Sequence, residues 1–316
     1  MPKYLVVFAV LGALLPTSAP AQVPSFLAQW SAPRAVGIAF DPAGNIYVAE
    51  LANYPTHIDV HAPDGTLLAS WGMDGSGVTS VTGPYYIAAD ANGHLFVAEW
   101  TIHNASQFPL QEFTTGGAFV ARVGYYSASP SSAPGAITGV GGVAVGPDGR
   151  IYVTDGGNPR TQVFANDRTF QFQWPSQGNS IALDAFGHAF EVEDGGVVRK
   201  YDANSGAELT HWGSYGSGPG QFNSPQGVAV DAAGNVYVTD TYNHRVQVFT
   251  NDGAFLVQWG SYGAGPGQFY RPMGIGVAAD GKIYVGDTWN DRVQIFGSLP
   301  TPTRSQTWGQ LKADYR

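Results

Sequence analysis

The sequence predicts an all-β fold, a six-bladed β-propeller with four antiparallel strands per blade. Three observations predict it. One module recurs six times between Gly37 and Phe296, and self-similarity at such a period marks stacked units that each need a neighbour to bury their apolar face. A glycine recurs at the same turn of every copy. Charged residues make up only 12% of the 316-residue chain, against 42 glycines and 13% aromatics, which is the profile of turn-rich β structure rather than of helices or disorder.

Taken in chain order, Met1 to Lys3 carry a positive charge, Tyr4 to Leu15 form a short apolar run, and Ala19-Pro20-Ala21 supplies small residues for cleavage. Residues 1–21 therefore read as a removable signal peptide, and the apolar run is too short for a membrane span. The chain has no cysteine, which leaves no site for a lipid anchor, a disulfide or a thiolate metal site. A secreted, periplasmic or extracellular protein is expected, with the propeller over 22–298 and a C-terminal tail over 299–316.

Ahead of the first module, Ala28-Gln29-Trp30 repeats the end of an outer strand. A strand at 26–30 is predicted to complete the sixth blade, so that the ring closes without a long open edge. Gln306-Thr307-Trp308-Gly309 is a second candidate for that slot, but the Pro-rich run from Leu299 to Pro302 detaches it.

The six modules begin with GIAFDPAGNIYVAE at Gly37, YIAADANGHLFVAE at Tyr86, GVAVGPDGRIYVTD at Gly142, SIALDAFGHAFEVE at Ser180, GVAVDAAGNVYVTD at Gly227 and GIGVAADGKIYVGD at Gly274. Each supplies an inner strand A of small residues, a turn, a strand B of alternating pattern, a polar turn and a strand C. Outer strands D end in Trp71, Trp174, Trp212 and Trp259, with Val123 standing in for the second blade. Gly44, Gly93, Gly149, Gly187, Gly234 and Gly281 mark an A–B turn expected to need positive φ.

Asp240-x-x-Asn243-x-Arg245, Asp287-x-x-Asn290-x-Arg292 and Asp155-x-x-Asn158-x-Arg160, with GSGPGQFNSPQGVAV and GAGPGQFYRPMGIGV, resemble the NHL repeat. The resemblance covers roughly residues 26–296 and is strongest in blades 5 and 6. It implies a six-bladed propeller and a range of roles: peptide-amidating lyases, extracellular sensor domains, and RNA- or protein-binding modules. The lyase role implies metal-binding histidines just before the first Gly of certain A strands. The corresponding positions are Val36, Tyr85, Gly141, Asn179, Gln226 and Met273, and none is histidine.

Every strand B ends in an acid: Glu50, Glu99, Asp155, Glu193, Asp240 and Asp287. These are expected to act as staples inside each blade, accepting hydrogen bonds from the B–C turn and from Arg160, Arg245 and Arg292, with Asn243 and Asn290 assisting. His57-x-Asp59-x-His61 presents three potential ligands on one strand face. Aligned with RVQVF of blade 5, however, HIDVH puts His57 in the Arg245 slot and His61 in the Phe249 slot. It reads as structural substitution, and neither a metal nor another cofactor is expected.

The net charge of −9 argues against a nucleic-acid partner, which would require basic contacts to phosphate. No nucleophile motif or phosphate loop is present. The longest B–C and D–A connections belong to blades 1 to 3 and carry Tyr54, Tyr85, Tyr86, Trp100, His103, Tyr125 and Tyr126, an aromatic set suited to ligand contacts. The expected function is a non-enzymatic recognition or scaffold protein that binds an extracellular or envelope protein, peptide or glycan on this face. The alternative is a metal-assisted lyase or hydrolase on the same face.

Overall fold

The computed structural model describes residues 22–51, 56–72, 83–99 and 110–299. Strands A to D of blade 1 are Ala35–Phe40, Ile46–Glu50, His57–His61 and Leu67–Gly72; those of blade 2 are Pro84–Ala89, His94–Glu99, Leu110–Thr114 and Phe119–Arg122. Blade 3 comprises Val140–Val145, Ile151–Asp155, Arg160–Phe164 and Phe170–Pro175, and blade 4 Gly178–Leu183, His188–Glu193, Val197–Asp202 and Glu208–Trp212. Blade 5 comprises Pro225–Val230, Val236–Asp240, Arg245–Phe249 and Phe255–Trp259. Blade 6 has Ile275–Val277, Ile283–Asp287 and Arg292–Phe296, and its outer strand is the N-terminal Phe26–Ser31.

That closing strand pairs antiparallel with strand C of blade 6, Trp30 opposite Val293 and Ser31 opposite Arg292. Gln29 Oε1 accepts a hydrogen bond from Arg292 Nη1 at 2.9 Å, so the arginine of the last blade also fastens the ring. All six A–B turn glycines have positive φ, from 78° to 88°, as expected for a hairpin that only glycine enters without strain.

Cohesion between blades comes from apolar clusters that cross their boundaries. One joins Ile38, Ile46 and Val48 of blade 1 to Tyr284, Val293 and Ile295 of blade 6. The outer-strand tryptophans add a second device. An added Cβ at the C–D turn glycine of one blade would meet the tryptophan of the blade before it: Gly65 meets Trp30 at 3.2 Å, Gly117 meets Trp71 at 2.7 Å, Gly206 meets Trp174 at 2.7 Å, and Gly253 meets Trp212 at 2.6 Å. These glycines also have positive φ.

Where blade 2 lacks the tryptophan, blade 3 lacks the glycine. Its turn holds Arg168 at φ 70°, whose guanidinium grips Glu112 of blade 2 at 2.6 and 2.8 Å. An ion pair thus replaces the aromatic contact at that boundary. Gly253→Ala combines left-handed strain with a clash on Trp212, and about 2–3 kcal/mol of lost stability is expected. A urea midpoint unchanged from the parent protein would refute the lock.

The long D–A connection from Gly124 to Gly141 carries a regular element. Tyr125–Tyr126 pairs in parallel with Ala136–Ile137, just as Ser214–Tyr215 pairs with Gln221–Phe222 and Tyr262 bridges Phe269. Tyr126, Tyr215 and Tyr262 occupy one repeated position. The longer spacer in blade 3 hides a standard element.

Candidate functional site

The strand B acids point into their own blades. In blade 5, the wholly buried Asp240 accepts from Asn223 N (2.7 Å), Asn243 Nδ2 (2.9 Å), Arg245 Nε (2.7 Å) and Gln247 Nε2 (3.0 Å). The remaining guanidinium hydrogens of Arg245 reach the carbonyls of Gly218 and Gln221 and the side chain of Gln258. Blade 6 repeats the set with Asp287, Asn290, Arg292 and Gln294. In blade 3 Arg160 Nε stands 3.3 Å from Asp155. Blades 2 and 4 vary the theme, with Gln111 on Glu99 (2.6 Å) and Arg199 on Glu193 (2.7 Å).

With the strand B acids turned into the blades, the open mouth of the channel is lined by other groups. Its cavity of about 500 Å³ takes one residue from every blade at the position before the first A-strand glycine or its equivalent: Val36, Tyr85, Gly141, Asn179, Gln226 and Met273. Tyr86 donates to the carbonyl of Gln226 on the opposite blade at 3.4 Å, and Tyr85 Oη lies 3.8 Å from Met273 Sδ. The two rings meet edge to face at 4.9 Å. Together they form a bar across the channel, with a smaller cavity of about 230 Å³ among the A strands beyond it. Burial pushes the Tyr85 hydroxyl up to about 12, Asp194 and Tyr242 adding to the effect. Burial likewise drives Tyr86 well above its ordinary range, so both stay protonated donors at neutral pH.

One side of the rim is built by a three-residue turn after strand B in blades 5 and 6, the short 3₁₀ segments Thr241–Asn243 and Thr288–Asn290. Their residues divide the work. Each threonine is buried and donates to a carbonyl of the next blade, Thr241 to Pro272 at 2.8 Å and Thr288 to Ala35 at 2.7 Å. Each asparagine holds the staple acid. The central residues, Tyr242 and Trp289, stay exposed.

Two arginines rise between these rings. Arg34 and Arg271 occupy equivalent positions ahead of strand A, both left-handed with φ 52° and 51°. The Arg271 guanidinium lies 4.6 Å from the Tyr242 ring and 4.9 Å from Trp289, and Arg34 lies 4.5 Å from Trp289. The result is a stack in the order Tyr242, Arg271, Trp289, Arg34. Neither guanidinium makes an ion pair or a side-chain hydrogen bond with any described residue, so the stack orients two cations whose N–H edges are available at the mouth. Arg271 also helps burial to lower the His244 imidazole below its ordinary value. Across the mouth stands Asp194, 3.5 Å from Gln226 Nε2.

Of the aromatic set expected from sequence, Tyr85 and Tyr86 lie together at this mouth. Tyr125 and Tyr126 are exposed on the D–A connection and do not line the cavity. Tyr54, Trp100 and His103 lie outside the described residues, as do the signal peptide and residues 300–316 of the tail. Sequence reasoning missed Arg34, Tyr242, Arg271 and Trp289. The signal that could have found them is an exposed-type aromatic between Thr and Asn in two successive blades, with Arg three residues before the first A-strand glycine.

The NHL repeat family matches residues 222–249 and 269–296, which fall on blades 5 and 6. Among curated proteins none matches the chain in sequence. Solved structures similar to it include an auxiliary nutrient binding protein from Bacteroides thetaiotaomicron, with TM-score 0.63 and 15% identity over 84% of this chain and 69% of the other. A Bacteroides thetaiotaomicron protein of unknown function aligns with TM-score 0.62 and 13% identity over 88% and 72%. Virginiamycin B lyase from Staphylococcus aureus aligns with TM-score 0.54 and 13% identity over 85% and 98%. At these identities the likeness is one of fold.

Proposed function

For a chain that is an NHL-repeat six-bladed β-propeller, we propose the role of an exported binding protein that takes an anionic ligand group into its channel mouth. The ligand class is an acidic peptide end or an acidic glycan, held by its carboxylate. The observation that carries this reading is the pair of oriented guanidinium groups, Arg34 and Arg271, without a carboxylate partner among the described residues of a protein of net charge −9. Arginine forks match carboxylates bidentately, and the flanking Tyr242 and Trp289 offer flat apolar surface for a sugar or side chain. Tyr85 and Tyr86 give the cavity a floor with fixed hydroxyls. The neighbouring fold described as a nutrient binding protein is consistent with capture of an external ligand.

The test is a thermal-shift screen of the purified chain against short peptides with free or amidated C-termini and against uronic-acid or neutral oligosaccharides, followed by calorimetry. Free-carboxylate members are expected to bind, more weakly at high salt, and Arg271→Ala should weaken them about 10- to 100-fold, the scale of hydrogen bonds to a charged group. Binding that is equal for the amidated or neutral partners, or unchanged in Arg271→Ala and Arg34→Ala, would overturn the proposal.

A further inference from the structure

Blade 1 departs from the other blades in one respect that registers as chemistry. In blades 3, 5 and 6 the strand B acid faces an arginine, and the residue two further along strand C is a glutamine: Gln162, Gln247 and Gln294. In blades 5 and 6 that glutamine donates to the acid, and in blade 2 Gln111 does so. Blade 1 keeps the same register, Glu50 opposite His57, Val48 opposite Asp59, and Ile46 opposite His61. Its arginine is His57 and its glutamine is Asp59. A donor pocket has become one rich in acceptors.

The consequence is visible in the hydrogen bonding. Glu50 is wholly buried, and neither of its oxygens has a hydrogen-bond donor among the described residues; Asp59 Oδ1 and His61 Nε2 are likewise buried without one. His57 Nε2 lies 3.2 Å from Glu50 Oε2 and 3.7 Å from Asp59 Oδ1. One ligand atom from each of Glu50, His57 and Asp59 falls within 4.8 Å of the others. Adjacent ligands of a tetrahedral ion with bonds near 2 Å stand about 3.3 Å apart, so little movement would close the set.

His61 completes the arrangement. Its Nδ1 stands 3.1 Å from the carbonyl of Gly65, which requires the proton on Nδ1, and the Trp30 ring packs on it at 4.9 Å. In the neutral ring Nε2 then carries a lone pair, 4.0 Å from Asp59 Oδ2. Two acceptors facing each other repel, whereas a ring whose Nδ1–H is fixed by a backbone carbonyl in this way presents its Nε2 lone pair as a metal-binding histidine does, the carbonyl being the outer support. Burial, then Asp59, pushes the Glu50 carboxyl up to about 8, as expected in a pocket short of positive charge. His57 is 30% exposed and gives an ion a way in.

We propose that blade 1 closes its staple with a divalent transition-metal ion of the zinc class, held by Glu50, His57 and Asp59 and supported by His61. Imidazole and carboxylate donors with no thiolate suit zinc and its neighbours. The ion would take the place that a guanidinium fills in blades 3, 5 and 6.

The experiment stays with the intact chain, stripped with EDTA and titrated with ZnCl₂ or MnCl₂ by calorimetry and thermal shift. One zinc per chain and a raised unfolding temperature are expected. The double variant His57→Arg/Asp59→Gln rebuilds the donor set of blade 5 and Asp59→Gln restores its glutamine alone, so both should fold, yet weaken zinc at least 100-fold. His211→Ala, a change at an exposed histidine of blade 4, should leave binding intact. Failure of the parent chain to bind zinc, or zinc binding retained in Asp59→Gln, would overturn the proposal. Acid stabilisation of the parent that Glu50→Gln removes, with no response to metal, would assign the pocket to a proton and overturn it equally.

Discussion

Asp240→Ala should lower folding stability by about 3–5 kcal/mol, the cost of stranding a buried charge once its partner is removed. Arg245 is the stranded group. It is 7% exposed, its Nε loses the 2.7 Å bond to Asp240, and three further donors, from Asn223, Asn243 and Gln247, lose the same acceptor. Asp240→Asn keeps one acceptor oxygen and should cost less. Urea unfolding of the two variants, read by tryptophan fluorescence with the slope held in common, measures the difference. A shift under about 1 kcal/mol for Asp240→Ala would mean that the acid is dispensable to the blade. Because the site residues of the mouth belong to other positions, the folded fraction should still bind whatever the parent binds.

Acidification should stabilise the protein through Glu191. This carboxyl is wholly buried in blade 4 and accepts from Thr161 Oγ1 at 2.7 Å, from Trp174 Nε1 at 3.2 Å and from Ser176. Burial outweighs these donors and pushes it up to about 7 from an ordinary 4.5. The native state therefore holds a proton that the unfolded chain releases between those values. The stabilisation is full below pH 4.5 and is lost as pH rises through 7, a fall on the order of 3 kcal/mol at about 1.4 kcal/mol per unit. Glu191→Gln cannot ionise and should lack that component. Denaturation midpoints at pH 5 and 8 that coincide in the parent and in Glu191→Gln alike would show that Glu191 titrates normally.

Much of the architecture was legible because it rests on features with a short physical reach. Each A–B hairpin needs a left-handed residue, and Gly44 through Gly281 announced it. The closing strand was readable from Trp30, since an outer-strand tryptophan with no blade of its own has to belong to another. The pairing of His57 with Glu50 followed from register alone.

The mouth was harder to read for the opposite reason. Sequence reasoning sought the site where modules depart from the repeat, and that search reached Tyr85 and Tyr86 while passing over blades 5 and 6. Arg34, Tyr242, Arg271 and Trp289 sit in or beside the most regular modules. Their role arises from stacking between adjacent blades, a relation with no fixed spacing along the chain. The same search took Tyr126 for a departure although it is a repeated position stretched by a longer spacer.

The lock between a tryptophan and the glycine of the next hairpin has a bearing on how such a chain can be altered or duplicated. A blade cut out at its natural ends would carry its own ring but the wrong neighbour's socket. Blade 3 moved behind blade 4 would press Trp212 against Arg168, and blade 5 moved behind blade 2 would leave Gly253 facing no tryptophan while Glu112 lost its cation. The interchangeable segment therefore runs from the middle of one blade to the middle of the next, so that each socket travels with the ring that fills it. Grafts cut at the D–A or B–C connections on the channel side separate that pair, whereas those cut in an outer strand, after the C–D turn glycine and before the tryptophan, keep it.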